Sequence, residues 1–244
     1  MSHLAENIAR VRAEIEAACE HSGRDPQTVR LIAVSKTHPA AMVQEAAAAG
    51  ITAFGENRVE EASPKILTVN AAVNPAPIWH LIGHVQSRKA KDLVVGGKAL
   101  FDLVHSVDSV KLASKLARIA VENQTTLSVL LQMNVSGEAS KEGFAAATWS
   151  TDPAVRAQLW QAVSTIQALP GLKLAGLMTI APIVADLEQA RPVFRALRML
   201  RDALGESFGV ALPELSMGMT DDFPVAIEEG ATLLRIGRAI FGER

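Results

Sequence analysis

The sequence predicts an α/β fold, a single (β/α)8 TIM barrel with an extra N-terminal helix and no C-terminal β-domain. Two observations support this prediction: apolar runs of strand length alternate with longer segments of helical composition, and eight such runs follow one another. Strands that alternate with helices indicate βαβ units and a parallel sheet. A chain of 244 residues is an ordinary length for eight such units. A doubly wound open sheet is the alternative arrangement of the same units.

The predicted strands are the apolar runs themselves. The first of them is a continuous aliphatic stretch, which is the pattern of a strand buried on both faces. The bounds of the eight are Val29–Ser35, Ile51–Phe54, Ile78–Ile82, Phe101–His105, Leu127–Asn134, Leu172–Thr179, Pro213–Ser216 and Thr232–Ile236.

The segments between the strands are predicted helices because they are rich in Ala, Leu, Glu, Gln, Lys or Arg. Pro39, Ser109 and Asp222 supply start signals. An amphipathic leader, Leu4–His21, precedes the first strand, and a short tail, Ala239–Arg244, follows the eighth. We expect the leader to cover the flank that an eighth helix would occupy. The bounds of the seven helices are Ala40–Ala49, Asn57–Leu67, Ser87–Val95, Val110–Glu122, Pro153–Leu169, Leu187–Ala203 and Phe223–Glu229.

Composition and organisation indicate one cytoplasmic domain over residues 1–244. Asn70–Pro77 and Ser136–Gly143 are short enough to be loops within a domain. Lys and Arg total 24 against 26 Asp and Glu, which excludes the basic excess of a nucleic-acid or membrane-surface binder. The single cysteine, Cys19, excludes internal disulfides and suits a reducing compartment. The chain begins with a charged amphipathic helix, not with a signal peptide, and no apolar run approaches the roughly 20 residues that span a bilayer.

Lys36 closes the apolar run Leu31–Lys36 and therefore stands at the carboxyl end of the first strand. In a (β/α)8 barrel the active site lies on that face. The lysine amine forms Schiff bases once desolvation or a neighbouring cation lowers its pKa. A solvated lysine that begins a loop is the alternative for Lys36 taken alone.

Two glycine turns follow strands seven and eight, where phosphate sites of such barrels often form. Ser216 and Thr220 supply hydroxyls, while Gly218 and Gly237 let backbone N–H groups approach an anion. Either glycine alone indicates only a tight turn, but the two together favour phosphate binding. A phosphate there and a lysine at strand one match the two ends of pyridoxal 5′-phosphate (PLP), its phosphate and its aldehyde.

Arg235 lies two residues before Gly237, so both project from the same face of the strand. We expect its guanidinium beside the phosphate end of the ligand, within reach of the pyridine nitrogen. Arginine does not accept a proton in practice, so the pyridine nitrogen should stay neutral and carbanion stabilisation should be weak. A surface arginine is the alternative, and the apolar Leu233 and Leu234 before it argue against that.

The chain resembles, over essentially its whole length, the YggS/PROSC family of pyridoxal phosphate homeostasis proteins, which share the barrel of the alanine racemase amino-terminal domain. The segments that carry the resemblance are IAVSKTHP, FGENRVEEA, WHLIGHVQSRKAK, HSVDS, LLQMNVSGEASKEGF, LAGLMTIAP, LSMGMTDDFPVAIEEGATLLRIG and AIFGER. By position, the resemblance implies that Lys36 forms the Schiff base with PLP and that Arg235 faces the pyridine nitrogen.

The resemblance also implies the remaining contacts to the cofactor. The phosphate is expected at Ser216, Gly237 and the backbone of Arg238, with Met217 and Gly218 in the same strand-seven turn. Many relatives carry a small hydroxyl residue where this chain has Arg238, so a hydroxyl contact to phosphate is lost here and a charge is added. The other expected pocket residues are Asn57, His80 and Met178.

The absence of tyrosine separates two functional hypotheses. Alanine racemases use a tyrosine from a C-terminal β-domain as their second acid/base, and this chain ends on the barrel. We therefore expect a non-catalytic PLP carrier or buffer, a monomer without a metal, with apo PLP-dependent enzymes as candidate partners. A low-activity racemase or lyase is the alternative, with His80 or His84 as the second base. Lys141 is either a secondary amine for PLP or an exposed loop lysine.

Overall fold

A computed structural model describes residues 2–184 and 186–242. Eight parallel strands form a closed barrel in which each strand pairs with its neighbours in chain order, β4 pairs with β5, and β8 closes the ring onto β1. This closure excludes the open sheet. The strands are β1 Arg30–Val34, β2 Ala53–Glu56, β3 Ile78–Leu81, β4 Leu103–Val107, β5 Leu127–Asn134, β6 Leu172–Met178, β7 Glu214–Ser216 and β8 Leu233–Ile236.

Helices surround the barrel, and most begin close to the predicted positions. Ser109 caps α4 through its side chain, and Asp152 caps α5. The last two residues of the predicted tail, 243 and 244, lie outside the described residues. The helices are α1 His3–Ser22, α2 Ala40–Ala48, α3 Val59–Ala72, α4 Val110–Glu122, α5 Pro153–Gln167, α6 Arg191–Phe208, α7 Phe223–Glu228 and α8 Arg238–Phe241.

The predicted helix Ser87–Val95 is wrong. Residues Ser87–Leu93 form a 3-10 helix, and Val94–Val95 then pairs antiparallel with Lys98–Ala99. The intervening Gly96 and Gly97 both have positive φ, which two-residue hairpin turns require and glycine adopts at little cost. Two β-branched valines before a Gly-Gly pair favour this hairpin over another helical turn.

The leader helix α1 covers the end of the barrel sequence, as predicted. Its buried face packs on α7, α8 and α2. Asn7 donates from its side-chain amide to the carbonyl of Ile240 at 3.1 Å, which ties α1 to the short α8. No helix among residues 2–184 and 186–242 is long and apolar enough to cross a bilayer.

Two apolar layers hold the barrel together. The larger lies between the strands and the helices; in it Trp79 packs against Phe54 and donates its indole N–H to Asn70 of α3 at 2.9 Å. The smaller fills the barrel interior and defines which side chains point inward. Its buried members are Ile32, Ala53, Leu103, Leu130, Met178 and Leu233.

Candidate functional site

Lys36 lies in the turn after β1, two residues beyond the end of the strand, and is half-buried. Side chains alternate along a strand, and Ile32 belongs to the inner apolar layer. Ser35 donates to the side chain of Glu56, and Lys36 follows it in the turn at the carboxyl end of β1. The inward orientation of the Lys36 side chain stays a prediction.

A chain of polar side chains crosses the barrel interior below the barrel mouth. His80 Nδ1 lies 2.9 Å from His105 Nε2, and His105 Nδ1 lies 2.8 Å from Ser216 Oγ. The Arg235 guanidinium donates through Nη1 to Ser216 Oγ and through Nη2 to the carbonyl of Thr179 at 2.8 Å. Four strands, β3, β4, β7 and β8, thus contribute one side chain each, and we call His80, His105, Ser216 and Arg235 the interior chain.

The permanently protonated Arg235 sets the direction of hydrogen bonding in the interior chain. Ser216 Oγ accepts from Arg235 and can pass its own hydrogen to His105 Nδ1, so His105 donates from Nε2 to His80 Nδ1. The opposite direction leaves the Ser216 hydrogen without a partner, whereas His80 Nε2 lacks a partner in either direction. His80 Nε2, which is buried and has no hydrogen-bond partner, is accordingly an N–H donor inside the barrel.

Burial governs the charges of the interior chain. Desolvation lowers the pKa of His80 to about 3, with a smaller contribution from Arg30. The pKa of His105 is also held well below its ordinary value, mainly by burial and then by the neighbouring His80 and Arg235. Burial lowers the pKa of Arg235 to about 10, against a raising effect of Asp222. At neutral pH Arg235 is therefore the charged member and both histidines are neutral.

The two glycine turns have different structural reasons. Gly218 has φ +92°, and a Cβ there would lie 2.7 Å from the Cβ of Ala226, so the fold itself requires this glycine. A Cβ on Gly237 would meet Val34 at 3.4 Å, which is ordinary contact, so no protein atom requires glycine there. Gly237 directly precedes α8, whose first N–H groups lack partners in their own helix.

The other predicted site residues differ in how deeply they are buried. Asn57 is half-buried after β2, and Met178 lies in the inner apolar layer. The side chain of Met217 is fully buried in the apolar layer outside the strands. Arg238 is exposed and forms an ion pair with Asp221, which holds its charge beside the β7 turn.

A cavity opens at the carboxyl ends of β5 and β6. It has a volume of about 240 Å³ and includes Gln132, Asn134 and Ile180 in its lining. Lys141 also lines it and is half-buried, and its role stays a prediction. Asn134 holds this loop by donating to the carbonyls of Glu138 and Lys141.

Sequence reasoning missed His105 as a site residue. The available signal in the sequence was its position at the end of a predicted strand. In the structure Leu103 is the register partner of His80, and His105, two residues later, projects from the same face as Leu103. The arrangement fits PLP: a lysine above the mouth, backbone donors at Gly237, a buried arginine below, and a buried N–H of His80 that lacks an acceptor.

Comparisons with known proteins agree with this arrangement. Residues 3–244 match the family model described as alanine racemase, N-terminal domain. Pyridoxal phosphate homeostasis proteins are 45% identical in Pseudomonas aeruginosa, covering 100% of this chain and 97% of the relative, and 41% identical in Aquifex aeolicus, covering 99% of both. A solved structure of PipY from Synechococcus elongatus PCC7942, with PLP bound, has a TM-score of 0.79 and 38% identity, covering 98% of this chain and all of the other.

Proposed function

Because the chain belongs to the alanine racemase N-terminal-domain family and, within it, to the pyridoxal phosphate homeostasis proteins, we propose that it binds PLP as a Schiff base on Lys36 and acts as a carrier or buffer in intracellular PLP homeostasis. The observation that supports this proposal is that Lys36 follows β1 and Gly237 follows the adjacent β8, at the carboxyl ends of two paired strands. Ile32 pairs in register with Arg235, so Val34 and Gly237 are level and Lys36 comes two residues later in the turn.

The chemistry that PLP would supply at Lys36 is a reversible condensation. The lysine amine would form a C=N bond with the aldehyde carbon in place of C=O with loss of one water, and hydrolysis would reverse this change. Backbone N–H groups at Gly237 and Arg238 would hold the phosphate, and Arg235 would face the pyridine nitrogen. Arg235 is fixed before any ligand arrives, because Ser216 and the carbonyl of Thr179 already accept its hydrogens.

The side chains around the mouth favour storage over turnover. Racemisation needs a second acid/base on the opposite face of the ring, and the 244 residues contain no tyrosine. His80, with its pKa lowered to about 3, holds a proton too weakly to serve near neutral pH. Arg235 remains charged and donates, so it offers no carboxylate to strengthen the ring as an electron sink. The alternative is a low-activity racemase or lyase.

Transfer and turnover distinguish these two functions. Purified protein loaded with PLP should restore the activity of an apo PLP-dependent enzyme, and the Lys36→Ala variant should lose the covalent anchor and change the transfer rate. The same preparation, at high concentration with a panel of L- and D-amino acids, should give no sustained conversion. Lys36-dependent racemisation or decarboxylation over many turnovers would refute the carrier function and support the enzyme.

We further propose a cytoplasmic monomer. The single cysteine, Cys19, is buried, which suits a compartment where thiols stay reduced. Large exposed apolar side chains among the described residues are spread over separate elements, for example Leu67 on α3, Val121 on α4 and Met199 on α6. Scattered residues of this kind are normal on monomer surfaces. Light scattering coupled to size-exclusion chromatography should give the mass of one chain.

A further inference from the structure

Four polar residues lie directly behind the turn that carries Lys36, on the outer side of the sheet. Lys65 of α3 donates from Nζ to Glu56 Oε1 at 2.8 Å, to the carbonyl of Ser35 at 2.9 Å and to Glu61 Oε1 at 3.3 Å. Ser35 Oγ donates to the same Glu56 oxygen at 2.6 Å. We call Ser35, Glu56, Glu61 and Lys65 the turn cluster.

Ser35, Glu56 and Lys65 of the turn cluster are buried, so the ion pair of Lys65 with Glu56 cannot be explained as a solvated surface pair. The Lys65 side chain is 7% exposed and that of Glu56 is 0% exposed. Burying an ion pair is costly and is repaid only when the geometry is good and further hydrogen bonds satisfy the groups. Replacing a buried ion pair by hydrophobic residues of similar volume is often neutral or stabilising, which points to a role for this pair beyond packing.

The turn cluster is hydrogen-bonded to the residues on both sides of Lys36. On one side, Ser35 is held through its carbonyl and its hydroxyl, and its N–H donates to the carbonyl of Gly55 at 3.0 Å. On the other side, the Thr37 N–H donates to Glu61 Oε1 at 2.5 Å. Lys36 stands between two residues that are both fixed to the same group of side chains.

The backbone conformation of Thr37 is strained, and the turn cluster holds it in place. Thr37 has φ +68°, in the left-handed region that β-branched residues rarely adopt. A strained backbone conformation of this kind persists only where surrounding contacts stabilise it by more than the strain costs. The hydrogen bond from Thr37 to Glu61 supplies that restraint and keeps the chain turning back from the barrel mouth just after Lys36.

We infer that the turn cluster is a positioning device, which fixes the backbone of Lys36 so that its amine meets the PLP aldehyde at the barrel mouth. The inference rests on the proposed function of Lys36. The side chains of Lys65 and Glu56 lie on the outer side of the barrel wall, so they act only through the turn and not by contact with the cofactor. A reacting group displaced by about 1 Å by a distant mutation can lose about 100-fold in rate.

The test separates Schiff-base formation from binding of the rest of the cofactor. The rate of formation is followed by visible absorption after apo-protein is mixed with PLP. The affinity for pyridoxine 5′-phosphate, which keeps the ring and phosphate but has an alcohol in place of the aldehyde, is measured by calorimetry. Lys65→Met should slow Schiff-base formation by about 10- to 100-fold and leave the affinity for pyridoxine 5′-phosphate unchanged.

Glu61→Ala provides a milder variant, since Glu61 is partly exposed and its loss releases only Thr37 and one contact of Lys65. Glu60→Ala is the matched control: it removes a neighbouring carboxylate of α3 that pairs with Lys89 on the surface. Glu61→Ala should form the Schiff base more slowly than Glu60→Ala, and this comparison decides the matter if Lys65→Met does not fold.

Two results would overturn the inference. One is native-rate Schiff-base formation in Lys65→Met, or equal rates in Glu61→Ala and Glu60→Ala. The other is a loss of pyridoxine 5′-phosphate affinity by the same factor as the rate, which would mean that the pocket as a whole was damaged. A native protein that forms no Schiff base at Lys36 would instead refute the proposed function.

Discussion

The neutral histidines of the interior chain should make the fold sensitive to acid. The folded pKa of His80 is lowered to about 3, whereas an unfolded histidine titrates near 6.5. As pH falls below 6.5 the unfolded chain takes up a proton that folded His80 refuses, so stability present above pH 6.5 is lost on acidification down to about pH 3. At about 1.4 kcal/mol per pH unit, the loss reaches about 2 kcal/mol at about pH 5.

The variant His80→Gln isolates this contribution, because glutamine does not titrate and its amide can still bond to His105. Urea unfolding followed by circular dichroism at pH 7 and at about pH 5 gives the acid-dependent loss of free energy of unfolding for each protein. We expect the loss in His80→Gln to be smaller than in the unmodified protein by about 2 kcal/mol. His3→Gln, which removes an exposed histidine of α1, is the control and should behave as the unmodified protein does.

Equal acid-dependent losses in His80→Gln and the unmodified protein would refute the reasoning. Such a result would mean that the pKa of His80 in the folded state is close to the ordinary value for histidine. The direction of hydrogen bonding assigned to the interior chain would then be wrong, because His80 Nδ1 could no longer accept from His105.

Three other substitutions test the site. Gly237→Ala should leave the unfolding free energy of the apo-protein nearly unchanged, since the added methyl only contacts Val34, yet should weaken PLP binding measured by titration. Gly218→Ala should lower the unfolding free energy by about 1–3 kcal/mol, because it forces a positive φ and a clash with Ala226. Arg235→Gln should lower it by about 1.5–3 kcal/mol through lost charged hydrogen bonds, and an unchanged urea midpoint would contradict the buried contacts of Arg235.

The barrel was predictable because its strands are apolar runs separated by helical segments, and a closed parallel sheet buries every strand. The failure at Ser87–Val95 is of a different kind. Its Ser, Arg, Lys and Ala residues suit a helix, but hairpin pairing across Gly96 and Gly97 satisfies the backbone instead. The composition of Ser87–Val95 alone does not show whether a helix or a hairpin is more stable, because the hairpin depends on the partner strand Lys98–Ala99.

The burial of Arg235 was predictable from the apolar residues that precede it on its strand. His105 and Lys65 were missed for a common reason. Their roles depend on partners 111 and 30 residues away in sequence, Ser216 and Ser35. Only the closure of the barrel and the packing of α3 behind β1 bring these residues together.

Reduction and peptide mapping test the central claim most directly. The protein is incubated with PLP, treated with borohydride to reduce the C=N bond, digested, and analysed by mass spectrometry. The account predicts one reduced pyridoxyl label, on the peptide that contains Lys36, and loss of the visible absorption band on reduction. A label on Lys141 alone, or no label after saturation with PLP, would contradict it.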